Sequence, residues 1–149
     1  GTKGEVDEGE YTIPIGQADV KRQGTDVTIV AYSKMLLVAL EAAEQLSRED
    51  LDVEVIDPRT LKPLDLQTIV TSVRKTGRLV IVEEGWRFCG LGAQIAESIY
   101  SAAFDYLDAP IARVTGEDVP IPYSRPLEDA AIPDVPRVVA AVKSMCGAA

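Results

Sequence analysis

The sequence predicts an α/β fold: a three-layer α/β/α sandwich around a mostly parallel sheet of about five strands, with one antiparallel strand at or near an edge. Two observations predict it. Short apolar, β-branched runs alternate along the chain with amphipathic stretches of helical period, the pattern of strands buried on both faces and joined by crossover helices. The first strand segment has no helix between it and the second, so it pairs antiparallel. The length of 149 residues suits a single domain with its own core, and 46% hydrophobic against 26% charged residues is a globular composition.

Residues 1–10 (GTKGEVDEGE) are polar, glycine-rich and acidic, and are expected to form a disordered tail or linker remnant, leaving residues 11–149 as the domain. Pro14 disfavours helix at Ile13, so Tyr11–Ile15 reads as extended. Ala18–Gln23 alternates and stops at Gly24-Thr25, a short edge strand. Asp26–Tyr32 is the first buried strand. Ser33 stands at an N-cap position before Leu36, Leu37, Leu40, Ala43 and Leu46, which recur at helical spacing through Ser47. Leu51–Asp57 is the next strand and Pro58 ends it. Pro58–Pro63 (PRTLKP) is a rigid crossing, after which Asp65 caps a helix carrying Leu66, Ile69, Val70 and Val73 and ending at Lys75-Thr76-Gly77.

Leu79–Val82 is a third buried strand, and Gly90 opens a helix that continues through Ile95, Ala96, Ile99 and Ala103. Ile111–Thr115 is the last strand. The segment 116–134 is expected to be a long irregular loop, with Pro120, Pro122, Pro126 and Pro133 inside it and Pro136 just beyond; loops of that length are usually functional or interfacial. Val135, Val138, Val139, Val142 and Met145 complete the chain with an amphipathic helix.

Composition excludes several functions. Fifteen Lys and Arg against twenty-four Asp and Glu give a net charge of −9 with no basic stripe, so no nucleic acid partner is expected. No apolar run approaches membrane-spanning length, and no membrane partner is expected. The two cysteines, Cys89 and Cys146, are expected as free thiols. The absence of histidine removes a His-based triad and any His-bearing zinc site.

The stretch Leu79–Ile95 (LVIVEEGWRFCGLGAQI) carries most of the remaining candidates. A strand, a glycine-rich crossing and a helix start form the place where open α/β sheets meet ligands and partners. Gly90-Leu91-Gly92 suggests a dinucleotide loop, but Ile95 stands where the third glycine belongs, which favours close packing of a helix start instead. The N-terminus of that helix could still hold an anion or a carboxylate. Glu83 and Glu84 are neighbours on a strand and point to opposite faces, so they do not share one proton; Glu83 is the better candidate, with a polar edge contact as its plainer role. Trp86 and Phe88 read either as interface anchors on a loop or as a satellite core beneath it. Arg59 is suited to clamp a phosphate or carboxylate, or to pair with a nearby acid. Asp108 sits at a turn before Pro110, where Asp is common for local reasons. Cys89, at a helix start beside Arg87, is a weak candidate for a reactive thiol.

Several motifs occur in one order: Asp57–Asp65 (DPRTLKPLD), Val82–Trp86 (VEEGW), Gly90–Ile95 (GLGAQI), Leu107–Pro110 (LDAP), Arg113–Tyr123 (RVTGEDVPIPY) and Leu127-Glu128. This series resembles the C-terminal domain of the beta subunit of thiamine-diphosphate-dependent 2-oxoacid dehydrogenase decarboxylases, closest to pyruvate dehydrogenase, over nearly everything from Tyr11 onward. The resemblance implies a transketolase C-terminal-like fold and a role in assembly and docking within a multienzyme complex. It implies three partners: the decarboxylase alpha subunit, a second beta subunit and the peripheral subunit-binding domain of the dihydrolipoamide acyltransferase. Asp108 matches the docking Asp of the family's Leu-Asp-Ala-Pro motif. Glu83, Trp86, Phe88, Gly90, Gly92 and Arg59 are the expected subunit-interface residues. Thiamine diphosphate and magnesium belong to the full heterotetramer, with none expected on this domain, which alone is expected to be inactive. Branched-chain 2-oxoacid and acetoin dehydrogenases share the family, and a nucleotide-binding oxidoreductase domain is the alternative of another class. The tail Cys146-Gly147-Ala148-Ala149 departs from the more apolar endings of the family. The implied location is the bacterial cytoplasm, the mitochondrial matrix or the plastid stroma.

Overall fold

The computed structural model describes residue 5 and residues 8–147; most of the expected tail, residues 1–4, 6 and 7, lies outside the described residues, as do residues 148–149. Five strands form one sheet: β1 (Asp19–Arg22), β2 (Val27–Ala31), β3 (Val53–Asp57), β4 (Leu79–Trp86) and β5 (Ala112–Gly116). Their order is β1-β3-β2-β4-β5, with β1 antiparallel to β3 at one edge and every other pair parallel. The helices are α1 (Lys34–Ser47), α2 (Leu66–Thr76), α3 (Leu91–Ala103), α4 (Arg125–Ala131) and α5 (Val135–Cys146), with a 3-10 turn at Phe104–Tyr106. The mostly parallel sheet with its antiparallel edge strand is the fold expected from the alternating pattern.

Alternation along the buried strands builds two cores, one per sheet face. Val27, Ile29 and Ala31 of β2, with Val80 and Val82 of β4, pack against α1 and α5. Val30, with Leu79 and Ile81, packs against α2 and α3. The face that α1 buries is Met35, Ala39, Ala42, Ala43 and Leu46, whereas Leu37 is exposed. Of the expected stripe, Ala43 and Leu46 are buried and Leu36 and Leu40 pack partly against the core, while Leu37 turns outward. Small alanines let α1 approach both the sheet and α5 closely.

Three local expectations are corrected. Ser33 does precede α1, but its side chain makes no capping bond and its backbone is left-handed, with φ 56°. The strand placed at Leu79–Val82 continues to Trp86, so Trp86 ends a strand instead of standing on a loop. The 116–134 segment is not structureless, because α4 forms within it. Pro126 lies in the first turn of α4, where a missing N–H breaks no helical bond, so proline there starts a helix.

Asp65 performs the cap expected of it and also ties down the chain's entry into the domain. It accepts from the Thr68 N–H at 3.1 Å and the Thr68 hydroxyl at 2.7 Å, and from the Ala18 N–H at 2.9 Å. Nearby, the Gly16 N–H donates to the Thr60 hydroxyl at 2.9 Å. Partial burial pushes the Asp65 carboxyl up, but the bonds from Ala18 and Thr68 outweigh it and hold the group below its ordinary 3.8. Because the folded value is the lower one, the stabilisation is complete above the unfolded value and is lost as pH falls through the folded value. Asp65→Ala is expected to lose about 1–2 kcal/mol in urea unfolding near neutrality. The gap between variant and parent should narrow in titrations below pH 3.8; a gap independent of pH would place the effect elsewhere.

Candidate functional site

The period of the strands brings three polar side chains together: Tyr32 just past β2, Glu83 within β4 and Arg113 near the start of β5. Glu83 follows Leu79 and Ile81 on the α3 side of the sheet. Arg113 is in register with Ile81, and Tyr32 lies one step past β2 with the parity of Val30. All three therefore converge beneath the start of α3. Glu83 is 1% exposed and its partners are all within the chain. One oxygen, Oε1, accepts from Arg113 Nη2 at 2.7 Å; the other, Oε2, accepts from the Gly92 N–H at 2.9 Å and from the Tyr32 hydroxyl at 3.2 Å. Burial and the neighbouring Glu83 carboxylate push the Tyr32 hydroxyl up to about 12, so it stays a donor throughout the physiological range.

This arrangement answers the question posed by Gly90-Leu91-Gly92. The N-terminus of a helix offers unpaired N–H groups and positive potential, where nucleotide-binding folds seat a phosphate. In this chain Glu83 fills that place. A Cβ on Gly92 would overlap Glu83 Oε1, and one on Gly90 would sit 2.9 Å from the same atom while overlapping the Trp86 carbonyl. The glycines are cut to fit a carboxylate belonging to the chain itself, and the dinucleotide reading is overturned. The residues do not fit thiamine diphosphate either: the helix N-terminus suited to a diphosphate is taken, and the described residues hold no cluster of acidic or thiol groups able to grip a metal ion.

Two of the expected interface residues are corrected by the same geometry. Glu83 and Gly92 are buried inside the chain and present nothing to a neighbour, because α3 closes over them. Trp86 and Phe88 are different. Trp86 is 49% exposed, and its indole N–H donates to the Val119 carbonyl at 3.0 Å. Phe88 is 79% exposed, which removes the satellite-core alternative for it. Val119, Ile121 and Tyr123 are also exposed, so the loops after β4 and β5 carry apolar surface toward solvent. Arg59 meets its plainer expectation and pairs with Asp19 at 2.7 Å. Cys89 is exposed and left-handed, with φ 54°, and both cysteines are free thiols.

Asp108 lies at the opposite end of the sheet. Its N–H donates to the carbonyl of Gly77, the left-handed residue that ends α2, at 2.8 Å. Its carboxylate rests where a Gly77 side chain would be and is exposed. Among the described residues it forms no salt bridge. Beside it, Arg74 stacks over the Tyr106 ring at 4.7 Å. Sequence reasoning missed Tyr32 and Arg113 as members of the buried cluster. The signal for Arg113 was available, since a lone charge in the apolar run Ile111–Val114 needs a buried partner.

A mostly parallel five-stranded sheet of this order, with one antiparallel edge strand and flanking helices, has the fold of a domain of the transketolase C-terminal type. Residues 16–138 match the family described as "Transketolase, C-terminal domain", and the chain belongs to that family. Its relatives place it more narrowly with beta subunits of the pyruvate dehydrogenase type, as the motif series implied. It is 54% identical over 134 residues to the pyruvate dehydrogenase E1 component subunit beta of Rickettsia felis, covering 90% of this chain and 41% of that protein. It is 46% identical over 145 residues to the acetoin:2,6-dichlorophenolindophenol oxidoreductase subunit beta of Bacillus subtilis, covering 97% of this chain and 42% of that one. The chain thus spans about two fifths of the length of these relatives. A solved split-gene transketolase, described as an inactive beta4 tetramer, superposes with a TM-score of 0.81 at 33% identity, over 97% of this chain and 46% of that one.

Glu83→Gln keeps the side chain's shape but leaves the Arg113 charge buried without its counter-ion. It is expected to lose roughly 3–5 kcal/mol in denaturant unfolding. Adding Arg113→Met to Glu83→Gln should recover part of that loss, since the stranded charge is gone. A double variant as unstable as the sum of the two singles would show that the pair does not act as a unit.

Proposed function

We propose that this chain is the assembly and docking domain of the beta subunit of a pyruvate dehydrogenase-type 2-oxoacid decarboxylase. In the parent complex that enzyme oxidatively decarboxylates a 2-oxoacid and passes the acyl group to lipoamide. The carrying observation is the self-filled helix N-terminus. The one position of the fold best suited to an anionic cofactor is occupied by Glu83, while the exposed groups at both ends of the sheet are free to meet proteins. On this reading thiamine diphosphate and magnesium are held by other parts of the heterotetramer, and the isolated chain is inactive.

The two ends of the sheet suit different partners. Trp86 and Phe88, with the apolar loop surface beside Val119, are the anchors toward the alpha subunit and a second beta subunit; large aromatic side chains dominate the energetics of such contacts. Self-association of a relative, the beta4 tetramer of the split-gene transketolase, supports an assembly role. Asp108, at the amino end of β5, is the docking residue for the peripheral subunit-binding domain of the dihydrolipoamide acyltransferase. A net charge of −9 steers a basic partner toward it, an effect that weakens with salt. The similarity to an acetoin oxidoreductase subunit supports acetoin as a second substrate reading within the same family.

The complete alpha–beta heterotetramer carrying single substitutions tests the separation of surfaces. Asp108→Ala is expected to weaken calorimetric binding to the acyltransferase's peripheral domain by about tenfold or more, with assembly intact. Trp86→Ala is expected to shift sedimentation toward dissociated subunits. Unchanged docking affinity in the first variant would remove Asp108 from the interface, and unchanged assembly in the second would remove Trp86.

A further inference from the structure

A crevice at the carboxyl ends of β2 and β3 belongs to neither the buried Glu83 cluster nor the Asp108 surface. It encloses about 450 Å³ between the extended segment around Ile13 and the crossing that follows β3. The lining is chemically divided. Ile13 and Leu61 offer apolar surface, Tyr32 and Ser33 offer hydroxyl groups, and Asp57 and Arg59 supply one charge of each sign. That volume, with an apolar wall and a few polar groups, suits a small organic molecule rather than a bare ion.

Backbone conformation and unused bonding capacity support the same reading. Ser33 and Arg59, both in the lining, are left-handed at φ 56° and 55°. A side chain makes that conformation unfavourable, and such strain is found where a site is being shaped. The charged groups also retain bonding capacity. Asp57 accepts from the Arg59 N–H at 2.9 Å through Oδ1, and its Oδ2 has no partner among the described residues. Arg59 spends only Nη2 on Asp19. Its Nε and Nη1, like the Ser33 hydroxyl, have no hydrogen-bond partner among the described residues, and both residues are exposed.

We propose that this crevice binds a zwitterionic α-amino acid with an aliphatic side chain. The ammonium group goes to Asp57 Oδ2, the carboxylate to an unspent N–H of the Arg59 guanidinium, and the side chain against Ile13 and Leu61. A ligand bearing only one of the two charges leaves the other protein group unmatched, which sets the selectivity. Occupation fastens the Ile13 segment to the domain, adding to the anchors at Thr60 and Asp65. The proposal goes beyond the assembly role and stands whether or not that role holds.

The test is a two-dimensional amide NMR titration of the 149-residue chain with L-leucine. Leucinamide, which lacks the carboxylate, and 4-methylpentanoate, which lacks the ammonium, serve as probes on the unmodified protein. Saturable shifts at Ser33, Arg59 and Leu61 are expected with leucine, and affinity about tenfold lower or worse for each analogue. Asp57→Asn, with its spectrum otherwise preserved, should weaken leucine by about the same factor. Shifts that fail to saturate at millimolar leucine, that map to another face, or that are matched by either analogue would overturn the proposal.

Discussion

A carboxylate buried at the start of a helix is the constraint on which the rest of this domain depends. Glu83 accepts from the Gly92 N–H at the start of α3, pairs with Arg113 and receives the Tyr32 hydroxyl, so one side chain ties β2, β4 and β5 to a helix. A buried ion pair is not by itself stabilising, because desolvation offsets the attraction. What it does here is specify. Only glycine at positions 90 and 92 leaves room for the carboxylate, and only the register of β4 with β5 brings the guanidinium to it. The position of α3 on the sheet is thereby fixed, together with the end of β4 at Trp86 and the loop that carries Phe88.

The same interaction accounts for why Gly90-Leu91-Gly92 opens a helix without completing a nucleotide fingerprint. The helix dipole and the unpaired N–H groups are present, but an internal anion occupies them. The flanking loops carry exposed apolar side chains at Phe88 and Tyr123. The carboxyl end of the sheet then offers an apolar surface and a mixed-charge crevice, while the amino end offers an exposed acid at Asp108.

Much of the fold was legible because the strands are buried on both faces and therefore read as plain apolar runs. The cap at Asp65, the glycine that ends α2 at Gly77 and the unpartnered position of β1 at an edge followed from local chemistry. Less legible was anything set by contacts distant in sequence. The burial of Glu83 depends on Arg113, thirty residues away, and on α3 folding back over the strand. Leu37 belongs to the helical stripe of α1 yet faces solvent, since the sheet and α5 select the alanine side. The α4 helix hid among prolines because one of them stands in a first turn, where its missing N–H is harmless.

The sequence by itself determined the α/β class, the antiparallel edge, the family motifs and the absence of histidine, all of which reside in composition and short-range pattern. Tertiary structure alone decided which polar groups face inward and which face out. It turned Glu83 and Gly92 from interface candidates into an internal lock, left Trp86, Phe88 and Asp108 exposed at opposite ends of the sheet, and assembled the crevice around Asp57 and Arg59. The physical reason is that burial belongs to packed elements and not to residues. Nothing in a glutamate by itself selects interior or surface, and only the arrival of a helix N-terminus and a guanidinium makes the interior its place.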